Sequence, residues 1–303
     1  MAEIKIGLTS DVHQRVGYLR GISDIIKFTR PDTLVDPGDN EDARGLEEAI
    51  SDLLSEDMKL KSELFDKYDI KTEKDLEKIS AEDQKKMQES EKGIYKNTIN
   101  YIQKNHQRLK PEFDNLRKYT QVLGTDGNHD LKGTLESLGL KRTADIKGVK
   151  FRSVFNTHEL PQIYQHLPRE LLMPYLLGHN PDDEQLAGNP ERLEHVLKGI
   201  EAQYEQAKDA DVLIQHKIPK DEYDAPGYLN IDAVLRLGGH VHSSHTEIWK
   251  TKNDSGRYSY CVRAGSNEYV ETIMDSNKNI LRFDIYNVEG AEELHDDYSQ
   301  MAA

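Results

Sequence analysis

Five short apolar runs, each emptying at once into a polar loop, constrain this chain more than any other feature. They lie at 4–8, 33–35, 120–123, 212–214 and 233–237. Two more, at 258–262 and 280–286, follow later. Runs this short, bounded by turn-forming residues, read as buried strands. The loops after the first five carry Gly, His, Asn or Asp. In open α/β sheets, ligands gather beyond the carboxyl ends of the strands. Five strands ending in this way predict an α/β fold with one shared site.

Between Asn40 and Tyr119 the pattern changes. Segments 46–65 and 72–109 are rich in Glu, Lys, Gln and Leu and almost lack Gly and Pro. Helix-start signals stand at Thr72-Glu73-Lys74-Asp75 and Ser80-Ala81-Glu82-Asp83. Two or three amphipathic helices are expected there, inserted as a cap or flank, with their charge runs as solvated faces. Pro161, Pro168, Pro174, Pro181 and Pro190 break up 156–210, and 191–208 reads as helical. No repeat or linker divides the chain. Residues 1–303 are therefore read as one domain with a helical insert at about 43–119.

Lys plus Arg number 40 against 55 Asp plus Glu, a net charge of −15. Such a surface repels polyanions at long range, so duplex nucleic acid is disfavoured as a partner. Bound divalent cations would reverse the sign of the field locally. The single cysteine, Cys261, excludes an internal disulfide and fits a reducing compartment. The N-terminal residues lack the features of a signal peptide, and no run reaches the roughly 18–20 apolar residues of a membrane span. A cytoplasmic protein with no membrane partner is expected.

The chemistry lies in the loops. The first strand run is followed by Asp11-Val12-His13, the second by Gly38-Asp39-Asn40. The third leads into Gly127-Asn128-His129-Asp130, the fourth into His216, and the fifth into Gly239-His240-Val241-His242. His240 and His242 alternate about Val241, so both can face one side of an extended segment. Buried imidazoles need partners. In this order the blocks resemble the signature of the calcineurin-like metallophosphoesterases, over residues 4 to about 245. The resemblance implies a four-layer α/β/β/α sandwich with a helical insertion. One cation would take Asp11, His13, Asp39 and His242. The other would take Asp39, Asn128, His216 and His240, with Asp39 bridging the pair.

The implied cofactors are two divalent metal ions. Imidazole, carboxylate and amide oxygen without thiolate suit Mn²⁺, the first choice, and also Fe, Zn²⁺ or Ni²⁺. The implied activity is hydrolysis of a phosphate mono- or diester by a hydroxide shared between the cations. His129 would sit beside the substrate as a catalytic group, stabilising phosphate or protonating the leaving oxygen. Asp130 would either orient His129 or cap a helix.

A finer likeness joins the run Leu8 to His13 with Gly238 to His242 and Arg263-Ala264-Gly265-Ser266. It points to the catalytic domain of the 5′-nucleotidase and cyclic-nucleotide phosphodiesterase branch, hence to a nucleotide or cyclic nucleotide. The substrate-recognising domain that usually follows in that branch is not expected here. A metal-dependent nuclease is the alternative, weakened by the acidic balance and the lack of a basic–aromatic stripe. A non-catalytic scaffold on the same fold is the second, opposed by the retention of every ligand position. The helical insert offers a surface for oligomerisation. His106, His158, His166, His179, His195 and His245 match no block and read as surface or packing residues, although His245 could reach substrate. Arg15 and Arg44 could meet a phosphate. Glu41 and Asp42 could support the ligands or face solvent.

Overall fold

The computed structural model describes residues 3–40, 43–71, 73–125, 127, 130, 134–154, 202–218, 231–240 and 243–290. The first sheet contains β1 (Glu3–Leu8), β2 (Thr33–Asp36), β3 (Gln121–Gly124), β10 (Glu268–Asp275) and β11 (Ile280–Asn287), in the order β11-β10-β1-β2-β3. The second contains β4 (Thr143–Ile146), β5 (Val149–Val154), β6 (Val212–Gln215), β7 (Leu235–Gly238), β8 (Glu247–Lys252) and β9 (Tyr258–Arg263), in the order β4-β5-β6-β7-β9-β8. The strands β1, β2 and β3 run parallel, as do β5, β6, β7 and β9. Antiparallel strands close both edges of the second sheet and one edge of the first. All seven expected strand runs are present, with boundaries shifted by two residues or fewer.

The strand sequences account for the layers. Successive side chains point to opposite faces, and the central strands turn an apolar face inward. Ile4, Ile6, Leu8, Val35, Leu123 and Val270 of the first sheet meet Phe151, Val212, Ile214, Leu235, Leu237 and Val262 of the second. The intervening residues face outward against helices. Leu34, Val122 and Tyr269 pack under helices α1 (Val16–Thr29), α3 (Ala81–Leu116) and α4 (Thr134–Leu138). On the far side, Leu213 and Cys261 pack with Tyr204, Ala207 and Ala210, which lie in and just after a helical turn at 202–206. The result is an α/β/β/α sandwich, the expected fold class.

Between β2 and β3 lie α2 (Ala43–Tyr68), a 3₁₀ segment (Glu73–Lys78) and α3. Ser80 caps α3, its Oγ accepting a hydrogen bond from the Asp83 amide at 3.3 Å. The two long helices differ from a simple cap on the sandwich. The last turns of α3 bury Leu109, Phe113 and Leu116 in the core between sheet and helices. So α3 is the crossover helix that returns the chain to β3, extended outward at its N-terminal end to pair with α2. Pro111 lies inside α3 without ending it. Thr72 lies outside the described residues, as does most of the expected helix 191–208. Among the described residues, no helix is long and apolar enough to cross a membrane.

Candidate metal centre

The parallel topology brings the carboxyl ends of the site-bearing strands to one edge of the sandwich. The loops after β1 and β2 are stitched together. Thr9 N donates to Val35 O (3.0 Å), His13 N to Asp39 O (2.7 Å) and Gln14 N to Asn40 O (3.1 Å). In the second sheet, Gly239 N donates to His216 O at 2.8 Å. Bonds also cross between the sheets, among them His240 N, which donates to Asp11 Oδ2 at 2.7 Å.

The donor atoms converge on Asp39. Its Oδ2 lies 3.2 Å from His216 Nε2 and 3.7 Å from His13 Nε2. His216 Nε2 is in turn 3.2 Å from His240 Nδ1. Two groups result, Asp11–His13–Asp39 and Asp39–His216–His240, each with its donor atoms within 4.8 Å of one another. Asp39 belongs to both.

The donor set suits a cation better than hydrogen bonding alone. His216 Nδ1 is 2.9 Å from the Pro37 carbonyl oxygen, which can only accept, so Nδ1 carries the hydrogen. In the neutral ring, Nε2 is then a lone pair. It faces a carboxylate oxygen and another ring nitrogen. The lone pairs of His216 Nε2 and Asp39 Oδ2, 3.2 Å apart, need a proton or a metal ion between them. Without a metal, that need appears as proton affinity. Burial opposes a charge on His216, but the Asp39 and Asp11 carboxylates outweigh it and push the imidazole up to about 10. A divalent cation would displace that proton. Each group could hold a metal ion.

The loops pay for this convergence in backbone conformation. His13, Gln14, Asp39 and His240 have φ of 43°, 60°, 55° and 72°. For residues other than glycine this region costs roughly 1–3 kcal/mol, and it persists only where the surroundings enforce it. Two glycines permit the approach. A Cβ on Gly127 would lie 2.0 Å from Asp39 Oδ1, and one on Gly239 would lie 1.9 Å from Asp11 Oδ1. Asp130 is fully buried and accepts from Asn40 N (2.7 Å) and Gly127 N (2.9 Å), so it ties the loops after β2 and β3 together. Burial holds the neighbouring Asp36 carboxyl up at about 7, against the Gly38 amide and Asn40 side chain, which lower it.

No family model and no curated protein matches the chain. Solved structures do. One shares 12% identity at a TM-score of 0.50, covering 95% of this chain and all of its own length. The protein TT1561 of Thermus thermophilus shares 11% identity at a TM-score of 0.46, covering 95% and 100%. An archaeal phosphodiesterase shares 14% identity at a TM-score of 0.34, covering 93% and 100%. Likeness this remote speaks to fold. The shared fold is two sheets packed face to face and flanked by helices.

Within that fold, Asp11, His13, Asp39, His216 and His240 come together as described, while Asn128, His129 and His242 lie outside the described residues. So do Glu41, Asp42, His158, His166, His179, His195 and the side chain of Arg44. His106 is a packing residue, its Nδ1 lying 2.8 Å from Ser137 Oγ between α3 and α4. His245 is largely exposed, 3.8 Å from Glu268. Arg15 departs from expectation. It is 4% exposed, and all its N–H groups meet protein acceptors, so it has none to offer a phosphate. The sequence reading also missed Tyr18, whose Oη accepts from Ser10 N at 2.7 Å and donates to Glu268 O at 2.8 Å. Its place one turn into α1, on the face with Leu19 and Ile22, was the available signal.

Proposed function

We propose that this chain is a metal-dependent phosphoesterase that hydrolyses a small phosphate mono- or diester. The observation that carries the reading is the membership of Asp39 in two donor groups, one with Asp11 and His13, the other with His216 and His240. Two divalent cations would be held here, one by Asp11, His13 and Asp39 and the other by Asp39, His216 and His240. Asn128 would join the His216–His240 group, and His242 the Asp11–His13 group. Mn²⁺ is the first candidate. Such ions supply Lewis acidity toward phosphate oxygens and acidify bound water toward neutral pH.

The protein's own residues do the rest. Asp11 and Asp39 provide negative charge in a buried setting, where attraction to a cation is strong. The Pro37 carbonyl fixes the His216 tautomer so that Nε2 presents its lone pair. His129 protonates the leaving oxygen or holds a phosphate oxygen. Asp130 ties the loop after β3 to the loop after β2. The net charge of −15 disfavours a long polyanion, which supports a small ester over a nucleic acid strand.

The test compares p-nitrophenyl phosphate with its bis ester on purified protein, alongside elemental analysis for bound metal. Hydrolysis that depends on a divalent cation is expected, and Asp39→Asn should remove both the activity and the bound ions. A folded wild-type chain that binds no transition metal and cleaves neither ester under saturating Mn²⁺ would overturn the reading.

A further inference from the structure

Arg15 is heavily engaged beside the candidate centre, yet it belongs to neither donor group. Its Nε donates to Val12 O at 3.1 Å. One terminal nitrogen donates to Ser266 O at 2.7 Å and Asn267 Oδ1 at 2.9 Å. The other donates to Ser10 Oγ at 3.0 Å and to Asp11 O. The guanidinium plane also lies over the Tyr18 ring, 4.4 Å from its centroid. Three of these acceptors, on Ser10, Asp11 and Val12, belong to the loop that carries Asp11 and His13. The other two belong to the segment between β9 and β10, where the chain passes from one sheet to the other.

That crossing segment reaches the opposite ligand loop as well. Ser266 N and Oγ both donate to Ser243 O, at 2.8 and 3.0 Å, three residues beyond His240. Ser10 Oγ donates to Ser266 O at 2.9 Å. Ser266 is thus held from both sides, and Arg15 joins it to the first loop together with Ser10. The turn being held is one that would not hold itself, since His13 and Gln14 both occupy the left-handed region.

We infer that Arg15 is a positioning residue for the cation held by Asp11, His13 and Asp39: it clamps the loop of Asp11 and His13 to the sheet crossing at Ser266. This rests on the proposal that those three residues hold a cation. The guanidinium suits the task because its planar fork serves five acceptors at fixed angles, whereas a lysine ammonium offers three donors at a single point. The five acceptors of the guanidinium lie in the loop of Asp11 and His13 and in the sheet crossing, so its removal falls first on the Asp11–His13–Asp39 group.

Equilibrium titration with Mn²⁺ tests this on the full chain, comparing wild type, Arg15→Lys and His13→Ala. The wild type is expected to bind two equivalents. Arg15→Lys should weaken one of them roughly 10–100-fold, the range for losing a group that orients a ligand. That should be the same equivalent lost in His13→Ala, with the other unchanged. Raised Mn²⁺ should restore turnover in Arg15→Lys and not in His13→Ala. Arg15→Lys binding both equivalents with wild-type affinity, or losing both equally, would refute the inference. If Arg15→Lys does not fold, Ser10→Ala removes one acceptor and should weaken the same equivalent more mildly; wild-type affinity for both equivalents there also refutes it. A wild-type chain that binds no Mn²⁺ would sink the cation reading itself, and is told apart because no variant is needed to see it.

Discussion

At the scale of single residues, the candidate centre depends on atoms that are missing as much as on those present. Gly127 and Gly239 sit where a methyl group would overlap a carboxylate oxygen of Asp39 or Asp11. Gly127→Ala or Gly239→Ala should therefore displace a ligand by about an ångström. A displacement of that size lowers turnover about 100-fold, with near-native circular dichroism as the control. The imidazole of His216 gives a prediction in pH. In the cation-free protein its folded value of about 10 lies above its ordinary 6.5. The stability it contributes is fully present below pH 6.5 and fades as pH rises through 10. Thermal melts of chelated protein should fall across that window, and the fall should flatten in His216→Asn. Mn²⁺ should bind more tightly as pH rises over the same range, because it displaces that proton. The sequence made the donors legible, because Asp, His and Asn recur after strand ends for no structural reason. The role of Arg15 was not legible, since its acceptors on Ser266 and Asn267 lie 251 and 252 positions away.

At the scale of elements, α3 serves two neighbourhoods. Its last turns bury Phe113 fully against the sheet, while its first turn is capped by Ser80 beside α2. Phe113→Ala should cost about 3–5 kcal/mol and lower the midpoint of global urea unfolding. Ser80→Ala should cost about 1 kcal/mol and leave turnover unchanged, since the cap is remote in sequence from every ligand. The elements were readable to unequal degrees, for physical reasons. Strands with a strong apolar face, such as β1 with Ile4, Ile6 and Leu8 and β6 with Val212 and Ile214, stand out in sequence. Glu271 and Thr272 interrupt the apolar run of β10, and both are buried there. The edge strands β4 and β8 are exposed along much of their length and carry little apolar signal. Helix α1 has no side-chain cap, and glycines at 17 and 21 weaken its pattern.

At the scale of the whole molecule, the donors are divided between the sheets. Asp11, His13 and Asp39 follow strands of the first sheet, and His216 and His240 follow strands of the second. Anything that binds only the folded state raises its stability by mass action, by about 2.7 kcal/mol at a hundredfold excess over Kd. Manganese at that level should raise the melting temperature of chelated protein, and Asp39→Asn should abolish the rise. The division has one more effect. An ion gripped from both sides would act as a rivet at the rim of a laminate. Stripping it with chelator should let the two leaves slide, so that amide hydrogens along β2 and β6 exchange faster together while those of α2 keep their former pace.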